Sequence, residues 1–441
     1  MIPIIVTIFV LGYACIALEH KINVNKAATA LVMFGLIWTI YALHSGDVTS
    51  SLIEHLGSTC ETLVFLIGAM TIVEIIDSYG GFNVITKYVT TNNKFKLLWI
   101  VAIMTFFISA VLDNMTTTII MIMMLRKIID EPKERMFFAS IVVIAANSGG
   151  AWSPIGDVTT IMLWMRGNAS AMGLMSYLIV PSLVSLLIPV FLISRKFKNS
   201  TPLVMSSVEK NNPVVGVSNR LSAMVLVIGV LCLVSVPIFK SLTGLPPYLG
   251  VMFSLGILWV FTEIVCDYKK NFYEESKFRV VQILRRIDMA TILFFLGILM
   301  SVAGLQSMGV LKSVANFLDT NVHEVFSITT VIGMLSSIVD NVPLVAACMG
   351  MYPIVDVAEL ATAVDPQYLQ FFTVDGLFWI LLAYCAGIGG SLLIIGSAAG
   401  VVAMGLEKLD FMWYMKNVTL NAFLGYLAGV LVIFVESLIF M

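Results

Sequence analysis

Charged residues are scarce in this 441-residue chain: they make up 12% of it, whereas apolar residues make up 59%. A soluble domain needs about a quarter of its residues charged to cover its surface. The composition therefore excludes an ordinary water-soluble protein. Apolar runs of about 18–20 residues, each long enough to cross a bilayer, recur along the chain and predict a multi-pass protein surrounded by membrane lipid.

The motifs of several other protein classes are missing as well. The net charge is -2 and no basic patch with interleaved aromatic residues occurs, so we expect no nucleic acid partner. None of the six cysteines belongs to a CxxC pair, which argues against a metal or redox cofactor. No Walker A sequence and no catalytic constellation occurs, so neither ATP hydrolysis nor another enzymatic activity is expected.

The apolar runs predict ten full crossings. The first run is not preceded by positive charges, which favours a transmembrane helix over a signal peptide. The predicted crossings are 2–19, 27–44, 61–78, 137–166, 174–194, 221–239, 247–266, 290–306, 376–405 and 421–440. The polar stretch 195–220 is interpreted as a cytoplasmic linker.

Two more apolar segments carry a polar interruption at their middle. Segment 95–129 is interrupted at Asp113-Asn114, and segment 324–355 at Asp340-Asn341. Their arms are short for separate spans. Each segment is therefore predicted to be a re-entrant hairpin with its tip near the bilayer midplane.

The two halves of the chain resemble each other. Three matches occur in the same order: Thr62–Gly68 with Thr291–Gly297, Asp113-Asn114 with Asp340-Asn341, and Gly150–Gly156 with Gly390–Gly396. Each half has an odd number of crossings, so the second half must start from the opposite face. The predicted fold class is an all-α polytopic membrane protein with an inverted repeat, 1–194 and 221–441, each half holding a hairpin and a broken helix.

The basic residues indicate an orientation. With both termini outside, all of the 25 Lys and Arg residues except Arg166, Lys240 and Lys312 lie on the cytoplasmic side. The positive-inside rule therefore supports the map of crossings and predicts a protein of the cell inner membrane.

Acidic residues inside a membrane are costly and mark candidate functional sites. The hairpin tips supply Asp113 and Asp340, the neighbouring amides Asn114 and Asn341, and hydroxyl groups of two threonines, Thr116 and Thr117. Non-helical tip backbone adds free carbonyl oxygens. Together these groups predict an all-oxygen site for a hard cation, with capping of the second arm as the alternative role of Asp113.

A second candidate constellation runs from Asn147 to Asp157 inside the crossing 137–166, and Ser153 adds a hydroxyl oxygen to it. Helix-breaking residues interrupt this crossing and its counterpart 376–405: Gly149, Gly150, Pro154 and Gly156 in the first, and Gly389, Gly390 and Gly396 in the second. Close helix packing explains the glycines but not Asp157. Discontinuous helices at matching places predict a substrate site. Glu74, near the end of a crossing, is either a proton-path residue or a paired helix-end acid.

Five stretches resemble the NhaD-type sodium/proton antiporters of the ion transporter superfamily: 18–26, 68–74, 112–118, 149–159 and 339–347. The resemblance implies a homodimer, a scaffold part, and a moving transport part with two opposed hairpins and elevator-like alternating access. The superfamily also holds dicarboxylate carriers and arsenite pumps. Its dicarboxylate carriers have Ser-Asn-Thr at the tips, whereas both tips here carry Asp-Asn, which favours a cation.

The sequence thus predicts a secondary transporter that exchanges Na+ (or Li+) for H+. Asp113 and Asp157 would bind Na+ or protons competitively, and Asp340 and Asn341 would form the opposite wall. An anion or metalloid (dicarboxylate or arsenite) transporter is the alternative.

Overall fold

The computed structural model of the protein describes residues 1–17, 22–46, 48–82, 91, 93–198, 218–268, 279–360 and 365–440. Helices dominate these residues and no strand occurs among them, which confirms the predicted all-α class. Seven helices of the described part are long and apolar enough to cross a membrane. Most of the predicted linker 195–220 lies outside the described residues.

The principal helices follow the chain as α1 to α18. Those of the first half are α1 Ile2–Ala17, α2 Lys26–Ser45, α3 Thr49–Ser78, α4 Lys94–Ser109, α5 Asn114–Ile128, α6 Pro132–Ala151, α7 Val158–Met165 and α8 Ala171–Ser194. Those of the second half are α9 Asn219–Thr243, α10 Pro247–Tyr268, α11 Met289–Ser307, α12 Val310–Asn321, α13 Val325–Leu335, α14 Asn341–Met351, α15 Leu377–Gly389, α16 Ala398–Glu407, α17 Phe411–Asn417 and α18 Thr419–Phe440.

Helix boundaries fall at the polar interruptions of the sequence. Asp113 is the N-cap of α5 and Asp340 the N-cap of α14, so each tip begins a helix with its acid. Residues 152–157 separate α6 from α7, and residues 390–397 separate α15 from α16. The same order of two-armed segment and interrupted helix therefore occurs in both halves; the inversion of one half relative to the other stays a prediction.

Two helices extend beyond the predicted crossings. The helix that contains the predicted crossing 61–78 begins earlier, at Thr49, and Ser307 forms hydrogen bonds with Ser51 (3.1 Å) and His55 (3.0 Å) in its first turns. The stretch after residue 306, which no predicted crossing covers, contains the amphipathic helix α12. Its apolar positions are too few for a crossing.

The helices pack in two groups. One, here called the six-helix group, contains α1, α2, α3, α9, α10 and α11. The other, the hairpin group, contains α4 to α8, α13 to α16 and α18. The chain passes repeatedly between them, and contacts between α3 and α7 and between α11 and α14 join them.

Small residues allow the first arm of each hairpin to pack closely against an interrupted helix. A Cβ added at Gly149 would collide with the carbonyl of Phe106 in α4, and one at Gly389 with the carbonyl of Gly333 in α13. Beside these contacts, Ser109 Oγ donates to Ala146 O at 2.6 Å and Ser336 Oγ donates to Ala386 O at 2.7 Å. Close backbone approach therefore requires glycine at both positions, as in other helix pairs in membranes.

Candidate functional site

Asp157 lies at the centre of the candidate site, in extended conformation at the end of the first helix interruption. It caps α7: its Oδ1 accepts hydrogen bonds from Thr159 N and Thr159 Oγ1, both at 3.0 Å. Only 1% of its surface is exposed. The capping bonds use one carboxylate oxygen and leave Oδ2 facing the hairpin tips.

The amides of both tips contact this carboxylate. Asn114 Nδ2 donates to Asp157 Oδ2 at 2.8 Å. Asn341 Nδ2 lies 3.4 Å from Oδ1 and 3.3 Å from Oδ2, a longer and shared hydrogen bond. The structure thus brings together two tips that are distant in the sequence.

Asn147, in α6, links this centre to the second interruption. Its Oδ1 accepts from Asn114 Nδ2 at 3.1 Å, and its Nδ2 donates to Ser391 Oγ at 2.8 Å and Ser397 Oγ at 2.9 Å. We call these six buried residues the central network: Asn114, Asn147, Asp157, Asn341, Ser391 and Ser397. It contains one carboxylate and no basic group.

Four predicted site residues of the first half lie outside the central network. Asp113 Oδ1 accepts from Thr116 N at 2.8 Å and its Oδ2 from Thr116 Oγ1, which is the capping role weighed as the alternative. Ser153 Oγ accepts from Ile155 N at 3.4 Å within the interruption. Thr117 Oγ1 is buried and has no hydrogen-bond partner in the described part of the chain. The structure shows none of the three hydroxyls bonded to Asp157.

A cavity of about 510 Å³ reaches the central network. Its lining includes Asn114, Asp157 and Asn341 from the network, and Asp340 from the second tip. The six-helix group contributes Lys26, Asp288 and Thr291 to the same lining. Space for a small cation therefore lies beside the buried carboxylate.

A second cavity, of about 210 Å³, shares Asn114, Asp288 and Thr291 with the first. Glu74 and Asp113 also line it. Glu74 Oε1 lies 3.6 Å from Arg286 Nη1 on the rim, so the structure places Glu74 as a paired acid near the end of α3. A third cavity, of about 260 Å³, lies beside His55 and Arg166, and no residue of the central network lines it.

Sequence reasoning missed Lys26, Asp288 and Thr291. Asp288 caps α11, accepting from Ala290 N at 3.1 Å and from Thr291 N at 3.2 Å. An aspartate followed three positions later by threonine is an ordinary helix-start signal. No local pattern could show that this helix start opens into the cavity of Asp157.

Residues 13–374 match the Citrate transporter family (CitMHS). Sodium/proton antiporter 1 of Arabidopsis thaliana is 43% identical over 96% of this chain and 70% of its own length. Sodium/proton antiporter 2 of the same plant is 40% identical over 96% of this chain and 97% of its own. The Na(+)/H(+) antiporter NhaD of Vibrio cholerae serotype O1 is 30% identical over 96% of this chain and 89% of its own.

The family match covers most of the chain, and the relatives align with nearly all of it. Together with the seven long apolar helices, they make the protein an integral multi-pass membrane protein. The chain belongs to the Citrate transporter family and to the NhaD-type sodium/proton antiporters.

Proposed function

We propose that this protein exchanges Na+ for H+ across the membrane at the central network. The observation that carries the proposal is the fully buried carboxylate of Asp157, which the amides of both hairpin tips contact. Burial makes an uncompensated charge costly. The carboxylate is therefore best occupied by a proton or by a cation, and the competition between them couples the two fluxes.

Asparagine orientation would let the network hold the carboxylate with or without a bound Na+. With Asn114 and Asn341 donating N–H groups, the carboxylate is stabilised without a metal ion. A bound Na+ needs amide oxygens instead. Ser391 and Ser397 can donate as well as accept, so Asn147 and Asn114 can invert together and turn Asn114 Oδ1 towards the cation.

Asp113 stands next to Asn114 and lines the second cavity. We infer that it is the second carboxylate of the cation site, with Thr116, Thr117 and Ser153 supplying neutral oxygens after a local rearrangement. Asp340 and Asn341 form the opposite wall. Glu74, which shares the second cavity with Asp113, is proposed for the proton path.

We also propose how the two groups of helices move relative to each other and how the protein is placed in the membrane. The hairpin group would be the moving transport part of an elevator-like carrier and the six-helix group its scaffold, because the central network belongs entirely to the hairpin group. We further propose an inverted repeat, a homodimer, transport of Li+ as well as Na+, and placement in the cell inner membrane with both termini outside.

Everted vesicles loaded with acid provide the test. Addition of Na+ or Li+ should alkalinise the interior, whereas K+ should have little effect. The description of the matched family as citrate transporters gives the anion alternative its support. A response to citrate, succinate or arsenite without one to Na+ would establish that alternative instead.

A further inference from the structure

Lys26 is a cationic side chain within the cavity of the candidate site. It begins α2, and its Nζ lies 3.8 Å from Asp340 Oδ2 and 4.4 Å from the centre of the Phe294 ring. Its side chain is 24% exposed and that of Asp340 is 18% exposed. An ammonium group so placed acts on the charge of the cavity rather than on bulk solvent.

The pair joins two parts of the molecule. Lys26 belongs to the six-helix group, whereas Asp340 forms the tip of the second hairpin. The next residue, Asn341, contacts Asp157. Any charge change at Asp340 therefore occurs one residue from a direct contact of Asp157, close enough to act on the central network.

We propose that Lys26 is a tethered internal cation that neutralises Asp340 and thereby sets the affinity of the cavity for Na+. With the pair intact, Asp157 and Asp113 remain the carboxylates available to the transported ion. Asp288 also lines the cavity, but its carboxylate caps α11 through Ala290 N and Thr291 N. Lys26 thus sets the affinity for Na+ through Asp340 and does not itself bind the ion.

Removing the charge of Lys26 and removing that of Asp340 should have opposite effects on the KM for Na+. Removal of the Lys26 charge leaves the carboxylate of Asp340 free to attract Na+, so the KM for Na+ should fall about threefold or more, with slower turnover because release is slower. Removal of the Asp340 charge leaves an ammonium that repels Na+, so the KM should rise by a similar factor. Removal of both should return the KM towards that of the wild type.

The test measures the KM and maximal rate of the Na+-driven pH signal in everted vesicles at matched protein abundance. The variants are Lys26→Met, Asp340→Asn and the double variant, and Lys26→Arg and Asp340→Glu keep the charges. Lys312→Met, on α12, is the control for removing a lysine elsewhere.

Opposite KM shifts and their cancellation in the double variant would support the inference. Shifts in the same direction, or a double variant no better than the worse single one, would overturn it. If Lys26→Met does not reach the membrane, Lys26→Gln takes its place in the same comparison, because glutamine also removes the charge and keeps a polar side chain. The inference rests on the proposed function: a wild type without a Na+ response removes both, whereas a responding wild type with failing variants removes only the role of Lys26.

Discussion

The two helix interruptions have similar backbones and different chemistry. Asp157 caps α7 through Thr159 N, and Ser397 caps α16 through Gly400 N at 3.2 Å. The first interruption follows Asn147, whereas Gly387 occupies the matching position before the second. The first interrupted helix therefore supplies the carboxylate and the amide that orients its neighbours, and the second supplies hydroxyl groups.

This difference shows how two similar backbone interruptions can share one buried carboxylate, that of Asp157. Asn147 joins the two halves, because its Nδ2 contacts two serines of the second half. A Cβ on Gly387 would lie 3.3 Å from Ala151 Cβ and 3.9 Å from Asp157 Oδ2, so the backbone of the second interrupted helix runs directly beside the carboxylate. The second half thus leaves room for the acid of the first.

The largest effect is expected from Asp157→Asn. The amide keeps the shape and the buried position but cannot exchange a proton, so the Na+-driven pH signal should fall to that of vesicles without the protein. Abundance in the membrane should stay near the wild type. Transport by Asp157→Asn at the wild-type rate and matched abundance would contradict the assignment of the site.

The two tips allow a sharper comparison. Asn114 lies 2.8 Å from Asp157 and also bonds Asn147, whereas Asn341 lies at 3.3–3.4 Å. Hydrogen bonds to charged groups are worth about 1.5–3 kcal/mol. We expect Asn114→Ala to lower the maximal rate by about tenfold or more and Asn341→Ala to lower it less. Equal losses, measured in the same vesicles, would show that the two tips contribute alike.

The sequence pattern locates the interruptions because glycine and proline weaken a helix and an acid is costly in the middle of a membrane. It does not show which member of a pair such as Asp113-Asn114 faces the centre. Capping turns Asp113 towards Thr116 and places Asn114 on Asp157, and this rotation depends on the helix start rather than on polarity. Lys26 and Asp288 escape prediction for a different reason: they reach the cavity only through packing between distant segments.

Backbone equivalence is tested by glycine substitution. Gly149→Ala and Gly389→Ala each place a methyl group against a carbonyl of the neighbouring hairpin arm. Overpacking of this kind costs about 1–3 kcal/mol, so both variants should lower the unfolding temperature in detergent by similar amounts. Gly57→Ala is the matched control, because a Cβ there meets nothing within 4 Å. A lower unfolding temperature for only one of the two variants would argue against equivalent packing of the two hairpins.

The smallest effect is expected from Ser397→Ala. The change removes the acceptor for Gly400 N and one of the two serine partners of Asn147, while Ser391 still holds the amide. Loss of a capping side chain costs about 1 kcal/mol, and only one neutral oxygen leaves the network. Transport should therefore fall by less than about tenfold, with a modest loss of thermal stability. The measurement is the Na+-driven pH signal beside that of Asp157→Asn. If Ser397→Ala is equally inactive, the second interruption carries more of the ion chemistry than its hydroxyl groups indicate.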